Sequence, residues 1–310
     1  MIAQNNASDS KSELYGTILG FAAFLIWGLF PLYFYLLKDV PPLVTLAFRA
    51  VFTTVVLLPV VLIRGKGPQI IATLRQPKLV AGLFATMALT AATWGLFIWL
   101  VAINHTLYAS LGNYICPLIN VLFGAIFFRE RPRLFAWIAI ALAAIAVAVF
   151  AIGVGRLPWE SVVVALVFAV YSLLRKALKV DSTTALSVET LFGLPIAVAF
   201  ILYSVWAPAV KPDWSTDARA LALLVGGGAL TAIPLLLFGS AAVRIKLSTL
   251  GLVTYLSPTG QFLCGAFVFK EQTTPYQWIS FVLIWVGLTF FTIDLFRAEK
   301  LARNSLHPGK

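Results

Sequence analysis

The sequence predicts an all-α integral membrane protein with ten transmembrane helices. Of its 310 residues, 61% are hydrophobic and only 11% are charged, whereas soluble domains contain about 25% charged residues. The apolar residues occur in runs of about twenty, the length that a helix needs to cross roughly 30 Å of hydrocarbon. Cys116 and Cys264 lie inside such runs and lack the spacing of a disulfide framework or a metal site.

Charges, prolines and glycines divide the apolar runs into ten predicted spans. Their predicted limits are 14–36, 43–63, 79–103, 108–128, 134–152, 158–176, 185–207, 219–241, 248–269 and 277–295. The links between them are short and leave no room for a soluble catalytic or nucleotide-binding domain. The polar N-terminus has no basic segment followed by a short apolar core, so we predict a tail on a retained first span.

The distribution of basic residues predicts the orientation of the spans. If the N-terminus is cytoplasmic, the outer segments hold few of the 23 Lys and Arg residues. Arg49 lies within a span, and all the remaining basic residues lie on the inner side. The basic residues on the outer side are Lys38, Arg156, Lys211, Arg219 and Lys270. The positive-inside rule therefore places both termini in the cytoplasm. Because these loops explain most of the +11 net charge, we expect the lipid bilayer and a small-molecule substrate as partners and no nucleic acid.

The chain contains an internal repeat. Residues 117–138 resemble residues 258–279 at a shift of 141 positions, with Pro, Leu, Gly, Ala, Phe, Glu, Trp and Ile in register. Upstream, SLG at 110–112 aligns with TLG at 249–251 at a shift of 139, so the second copy has two extra residues before its proline. The repeat unit has five spans, and an odd number places the second copy inverted in the membrane. Inverted repeats with a midplane site are typical of secondary transporters.

Further motifs carry a resemblance to a known family: WGLFP at 27–31 and the SLG…P…GAxFF-R-E segment with its second copy. These resemble the drug/metabolite transporter superfamily, in its EamA-type branch. Four longer segments are similar to the RarD (chloramphenicol-sensitive protein) family. They are FLIWGLFPLYF, LLRKALKVD, LSVETL and LSTLG-x-x-x-Y-x-x-P-T-x-Q-F. The resemblance implies two inverted five-helix halves in the bacterial inner (plasma) membrane that move small solutes without ATP.

These observations divide the chain into four predicted parts. They are a cytoplasmic N-terminal tail (1–13), a first five-helix EamA-type repeat (14–152), a second, inverted repeat (153–296) and a cytoplasmic basic tail (297–310). We expect a monomer or a weak homodimer.

Two predicted spans carry matching polar faces. Asn113, Pro117 and Asn120 share one face of the fourth span, and the repeat relates Pro117 and Asn120 to Pro258 and Gln261 in the ninth. Each proline frees a backbone carbonyl near mid-membrane, and interrupted helices in corresponding positions indicate a transport site. The alternative is that the prolines are packing kinks and the amides bind neighbouring helices.

Aromatic residues are candidates for stacking surfaces around such a site. They are Trp27, Trp94, Tyr114, Tyr171 and Tyr255. The alternative for each is a place in the interfacial belt of aromatic residues.

Arg49 and Glu189 are charged residues inside predicted spans, and a shift of 140 aligns them. We predict a gating or ion-coupling pair, one residue per half, each paired only in certain conformations. Arg49 could instead extend toward the outer headgroups, and Glu189 could be a structural partner or a proton-exchanging carboxylate.

The sequence favours a secondary-active or facilitative transporter, an exporter or permease, over an enzyme. It has no phosphate-binding loop, HExxH motif or Ser/His/Asp set, so we expect no catalytic residue, metal or cofactor. The first span lacks the acidic residue of the small multidrug members of the superfamily, which argues against that route of proton antiport. The alternatives are a non-transporting membrane sensor and a membrane-embedded enzyme.

Overall fold

Helices form nearly all of the described chain. The computed structural model describes residues 2–129, 131–206, 213–245 and 247–306, and within these ranges it contains α-helices and no strand. The helices are α1 (Ile2–Tyr35), α2 (Pro42–Ile63), α3 (Gly67–Leu74), α4 (Pro77–Ala102), α5 (Thr106–Phe127), α6 (Leu134–Val154), α7 (Trp159–Leu178), α8 (Ser182–Trp206), α9 (Ala218–Ala242), α10 (Leu247–Thr254), α11 (Leu256–Leu263) and α12 (Pro275–Leu306). A 3₁₀ turn at Asp213–Ser215 and a π-helical segment at Cys264–Val268 accompany them.

Nine of the helices in the described ranges are long and apolar enough to cross a membrane. They are α1, α2, α4 to α9 and α12, and they correspond to predicted spans one to eight and ten. Helices α1 and α12 continue into the segments predicted as tails, 1–13 and 297–310. The short helix α3 lies in the link between the second and third predicted spans.

The predicted ninth span, 248–269, is not a single helix. Helix α10 ends at Thr254, α11 begins at Leu256, and the π-helical segment follows directly. The break lies between Gly251 and Pro258, where the second repeat has its two extra residues. Two inserted residues turn an α-helix by about 200°. In an uninterrupted helix, Gly251 and Pro258 would therefore not point in the same relative directions as the equivalent residues of the first copy. The break and the π-helical segment accommodate the insertion.

Prolines, a glycine and an aspartate mark helix ends. Pro42, Pro77 and Pro275 are the first residues of α2, α4 and α12, where the missing N–H has no intrahelical partner to lose. Gly155 ends α6 with a φ of 75°, a left-handed conformation that suits glycine. Asp217 caps α9, because its side chain accepts from the backbone N–H of Arg219 at 2.8 Å. These local signals set the lengths of the spans.

The most extensive helix contacts join the two halves of the chain. Helix α6 packs on α12, α5 on α7, and α2 on both α8 and α9. Helix α1 packs on α9 and α11, and α4 packs on α7 and α8. When each span is replaced by its counterpart five spans away, α1–α9 becomes α4–α7, α1–α11 becomes α5–α7, and α2–α9 becomes α4–α8. The two halves therefore interlock in matching pairs.

Two residues in equivalent positions of the repeat share a rare backbone conformation. Arg129 and Lys270, which the shift of 141 aligns, have φ angles of 55° and 52°. Positive φ is uncommon outside glycine, so the chain makes the same left-handed turn after the fourth and the ninth predicted spans. Of the two aligned glutamates, Glu271 is described and Glu130 lies outside the described residues.

Candidate functional site

A cavity of about 830 Å³ lies between the two halves of the protein. Residues of α1, α2, α4 and α5 line it from the first half, and residues of α7 to α12 line it from the second. Most of its surface is apolar or aromatic. The polar and charged residues on its wall are Arg49, Thr53, Thr90, Thr93, Asn113, Asn120, Tyr171, Glu189, Thr190, Thr231, Thr254, Tyr255, Ser257 and Gln261.

The structure brings all but one of the predicted site residues to this cavity. Tyr114 is the exception, since it is fully buried and absent from the wall. Its hydroxyl lies 2.7 Å from the Thr259 hydroxyl and accepts from the Trp285 indole at 3.0 Å, so it joins three helices and offers no stacking surface. The candidates that do line the cavity are Trp27, Arg49, Trp94, Asn113, Pro117, Asn120, Tyr171, Glu189, Tyr255, Pro258 and Gln261.

The predicted amides meet across the boundary between the halves. The Asn113 side-chain N–H₂ donates to Gln261 Oε1 at 2.8 Å, which links α5 to α11. Gln261 in turn donates to the Ser257 hydroxyl at 3.3 Å. Asn120 contacts the Cys116 sulfur, with the donor 3.7 Å from Sγ. The cavity wall therefore carries amide groups that donate and accept.

The two predicted prolines are not equivalent in the structure. Pro117 lies inside the continuous helix α5, whereas Pro258 lies just after the break at Tyr255. The carbonyl of Pro258 accepts from the Ser110 hydroxyl at 2.8 Å, which ties the interrupted segment to α5. The interruption at mid-span is thus confined to the second half.

Arg49 faces the interior of the bundle, with only 8% of its surface exposed. Its guanidinium carbon lies 3.6 Å from the centroid of the Trp94 ring, and its Nε donates to the Thr231 hydroxyl at 2.9 Å. Among the described residues it forms no ion pair. The side chain does not extend toward the headgroups, which was the alternative from the sequence.

Glu189 lies on the same cavity wall but has different partners. Its Oε1 accepts from the Thr86 hydroxyl at 2.7 Å and lies 3.5 Å from Nη1 of Arg175. Its Oε2 is buried and has no hydrogen-bond partner in the described part of the chain. Arg49 and Glu189 form no direct ion pair in this structure.

An aromatic cluster forms another part of the wall. The ring of Trp27 lies 5.0 Å from that of Phe24 and 5.9 Å from that of Phe238, and Phe24 and Phe238 are 5.7 Å apart. Edge-to-face and tilted arrangements of this kind stabilise aromatic groups. The Trp27 indole N–H is buried without a hydrogen-bond partner in the described residues.

A carboxylate in a link holds the helix that carries Asn113 and Asn120. Glu271 accepts from the backbone N–H groups of Thr106 and Leu107, at 2.6 and 3.0 Å. These are orphan donors at the start of α5. Burial raises the pKa of Glu271 above its ordinary value, although the two N–H donors act in the opposite direction. The contact fixes the end of α5 against the second half.

Threonines from the opposite half bind both charged residues. Thr231, which was not predicted from the sequence, accepts from Arg49. Thr86 donates to Glu189 and belongs to a polar stripe of the third predicted span, for which the sequence leaves pore lining and close helix packing as alternatives. The repeat aligns Thr231 with Thr90 at the shift of 141, a signal that could have identified this threonine. Gly28 of α1 and Gly260 of α11 were also missed. A Cβ on Gly260 would lie 2.8 Å from the Gly28 Cα, a close approach that only tertiary packing shows.

Comparison with protein families identifies the two halves as copies of one unit. The model of the EamA-like transporter family matches residues 14–152 and again residues 161–293. Together the two matches cover most of the chain.

Curated relatives agree with this assignment. The chain is 37% identical over 297 residues to an uncharacterized transporter of Vibrio cholerae serotype O1, covering 96% of this chain and 98% of the relative. It is 36% identical to Protein RarD of Streptomyces exfoliatus, covering 94% and 92%, and 33% identical to Protein RarD of Escherichia coli K12, covering 94% and 98%.

A protein of known crystal structure superposes with a TM-score of 0.60 at 22% identity, over 90% of this chain and 97% of that one. That likeness concerns the fold alone. The family match and the relatives together show that the chain belongs to the EamA-like transporter family of the drug/metabolite transporter superfamily, with the RarD proteins among its homologues.

Proposed function

We propose that the protein is a secondary-active or facilitative transporter of the bacterial inner membrane that binds a small polar or amphipathic metabolite or drug in the central cavity. Alternating access between two inverted five-helix halves would move the bound molecule, with export as the direction. The observation that carries the proposal is the cavity itself, because both halves line it and their amides meet in it. A site shared by two halves opens to either side when one half rocks against the other.

The pairing of helices supports the inverted arrangement. Contacts between the halves map onto one another when spans are exchanged for their counterparts, which is what a pseudo-twofold axis produces. The odd number of spans proposed for each half would place this axis in the membrane plane. The interrupted segment after α10 supplies the unwound backbone that transporters of this design place near the substrate. In this arrangement the segment would act as the tenth membrane crossing.

Contacts at the helix ends support the predicted division of the links between two opposite ends of the bundle. Lys66 and Asp181, both on the predicted inner side, lie 3.6 Å apart. Thr106 and Glu271, both on the predicted outer side, share a hydrogen bond. Other contacts also join residues predicted on the same side. On the inner side a basic group lies over an aromatic ring in the pairs Tyr15 with Arg244, Phe128 with Lys176 and Phe135 with Arg297. On the outer side the rings of Tyr35 and Phe269 and those of Trp99 and Trp159 are in contact.

A sensor that binds the same molecules without moving them is the second candidate. The same cavity would serve it, so only a flux measurement separates the two functions. Reconstitution into liposomes with labelled amino acids, nucleosides and amphenicol drugs provides that measurement. Uptake of a compound that also stabilises the purified protein supports transport. Stabilisation without uptake of any compound supports a sensor.

The site itself is tested by removing its amides. After a thermal-shift screen of metabolites on the purified protein, Asn120→Ala and Gln261→Ala are each expected to weaken binding of a hit by about 3- to 10-fold, since a neutral hydrogen bond contributes about 0.5–1.5 kcal/mol. Gln76→Ala is the matched control, because Gln76 is an exposed amide in the link before α4. Unchanged affinity in both cavity variants would mean that the molecule binds elsewhere.

A further inference from the structure

We propose that the molecule carried in the cavity has a carboxylate group on an apolar body, and that Arg49 binds this carboxylate. The inference rests on the proposed transport function and names the chemical class of its substrate. It starts from an arginine that is buried, oriented and lacking an anionic partner among the described residues.

Trp94 and Thr231 orient the guanidinium of Arg49. Trp94 supports one face of the guanidinium plane, at 3.6 Å from the ring centroid, and Thr231 accepts the Nε hydrogen at 2.9 Å. The terminal Nη1 and Nη2 groups have no hydrogen-bond partner in the described ranges, and Arg49 belongs to the cavity wall. Two free terminal groups on a fixed plane form the fork of donors that matches two carboxylate oxygens.

The charges around the cavity leave an excess of one positive group. Arg49 and Glu189 are the charged residues on its described wall, and Glu189 already has Arg175 at 3.5 Å and the Thr86 hydroxyl at 2.7 Å. Glu189 is therefore engaged with a second arginine and does not balance Arg49. A guanidinium away from water is strongly destabilised unless an anion compensates it. A bound molecule with one negative charge supplies that compensation, whereas a cation would add to the excess.

The remaining wall indicates what the carboxylate is attached to. The cluster of Phe24, Trp27 and Phe238 offers stacking surfaces, and the pair of Asn113 and Gln261 offers both donors and acceptors. A cavity of about 830 Å³ is within the range of small-molecule sites, roughly 300–1,000 Å³. These features fit an amphipathic organic acid with an aromatic or aliphatic body.

Matched ligands that differ only in charge test the proposal on the purified full chain. We would measure thermal stabilisation and tryptophan fluorescence with 3-phenylpropionate, 3-phenylpropionamide and 3-phenylpropylamine, and with octanoate, octanamide and octylamine. The acids are expected to bind at least about tenfold more tightly than the amides, because hydrogen bonds to a charged group contribute about 1.5–3 kcal/mol. Equal binding of acid and amide, or no response to either acid, would overturn the proposal.

Variants of the site assign the preference to Arg49. Arg49→Gln is expected to abolish the advantage of the acid, and Arg49→Lys to retain part of it, because Lys keeps the charge without the fork. Thr231→Val removes the acceptor of the Arg49 Nε hydrogen but keeps the charges of Arg49 and Glu189. This variant is expected to reduce the preference for the acid over the amide several-fold. Arg219→Gln is the matched control, since Arg219 is exposed at the start of α9. A full acid preference in Arg49→Gln, or in Thr231→Val if the first variant does not fold, would overturn the assignment.

A transport assay separates failure of this inference from failure of the proposed function. In proteoliposomes, equal uptake of acid and amide by the wild type, with no loss in Arg49→Gln, would overturn the carboxylate proposal and leave the transporter. Arg49-dependent binding of the acids without uptake would overturn the transporter and leave the anion site. Arg49-dependent uptake of the acids supports both.

Discussion

Arg49 and Glu189 occupy aligned positions of the two halves with opposite charges, and each is bound by a threonine from the other half. Thr231 of α9 accepts from Arg49, and Thr86 of α4 donates to Glu189. Helices α9 and α4 are counterparts in the repeat, so the two contacts follow one geometric scheme with the hydrogen bond reversed. A hydroxyl suits both roles because it donates and accepts. The scheme couples each charge to the half that would move against it.

The role of Glu189 is tested by removing its charge alone. Glu189→Gln keeps an acceptor for Thr86 but leaves Arg175 without a carboxylate among the described residues. We expect uptake to fall at least about tenfold, since charge-assisted contacts contribute about 1.5–3 kcal/mol, while membrane insertion is retained. The control is Asp181→Asn, because the side chain of Asp181 is 50% exposed in its pair with Lys66 and exposed pairs contribute little. Normal uptake by Glu189→Gln would show that the charge is structural.

At the scale of elements, the backbone contact between α1 and α11 determines how closely the interrupted segment approaches the first half. A Cβ on Gly28 would lie 3.1 Å from the Leu256 carbonyl oxygen, and one on Gly260 would lie 2.8 Å from the Gly28 Cα. Neither backbone can yield as a flexible side chain does. The two glycines therefore allow α11 to sit beside the WGLFP segment and place Ser257 and Gln261 on the cavity wall.

Adding one methyl group at this contact is expected to destabilise the protein. Gly28→Ala and Gly260→Ala should each lower the free energy of unfolding by about 1–3 kcal/mol, the range for overpacked interiors. Gly239→Ala in α9 is the matched control, because nothing lies within 4 Å of the added Cβ and alanine favours the helix. Thermal unfolding in detergent measures all three. Equal stability of the three variants would show that α1 and α11 can move apart without loss.

The accuracy of the sequence prediction differs between elements for physical reasons. Most span limits follow from hydropathy and from prolines or glycines at helix ends, as at Pro42 and Gly155. The break at Tyr255 does not follow from hydropathy, because residues 248–269 contain no charged residue that would divide the span. The two-residue insertion lies at the break, but it is visible only when the second copy is aligned with the first, and it was not interpreted as an interruption. Periodicity likewise gave the faces of α5 and α11 but not the rotation of Tyr114, which depends on packing against Trp285.

At the scale of the whole molecule, the predicted inverted arrangement of the two halves and the proposed alternating access depend on the same interface. The chain's two halves interlock through matching helix pairs, and a cavity between them collects the predicted candidates from both. A rocking motion about this interface would expose the same wall to each side in turn. The sequence predicted which residues share a face, whereas the partner of each charge depended on helix rotation and required the structure.

The most direct test of this account is the accessibility of one cavity position from each side of the membrane. In a Cys116→Ala/Cys264→Ala background, Ala91→Cys would place a single thiol on the cavity wall. Leu157→Cys and Arg64→Cys, in exposed links on the predicted outer and inner sides, report the orientation of the vesicles. With a membrane-impermeant thiol reagent on intact cells and on inverted vesicles, we predict that Ala91→Cys reacts from both sides and that each control reacts from its own side only. Reaction of Ala91→Cys from one side alone, or of both controls from the same side, would contradict alternating access between inverted halves.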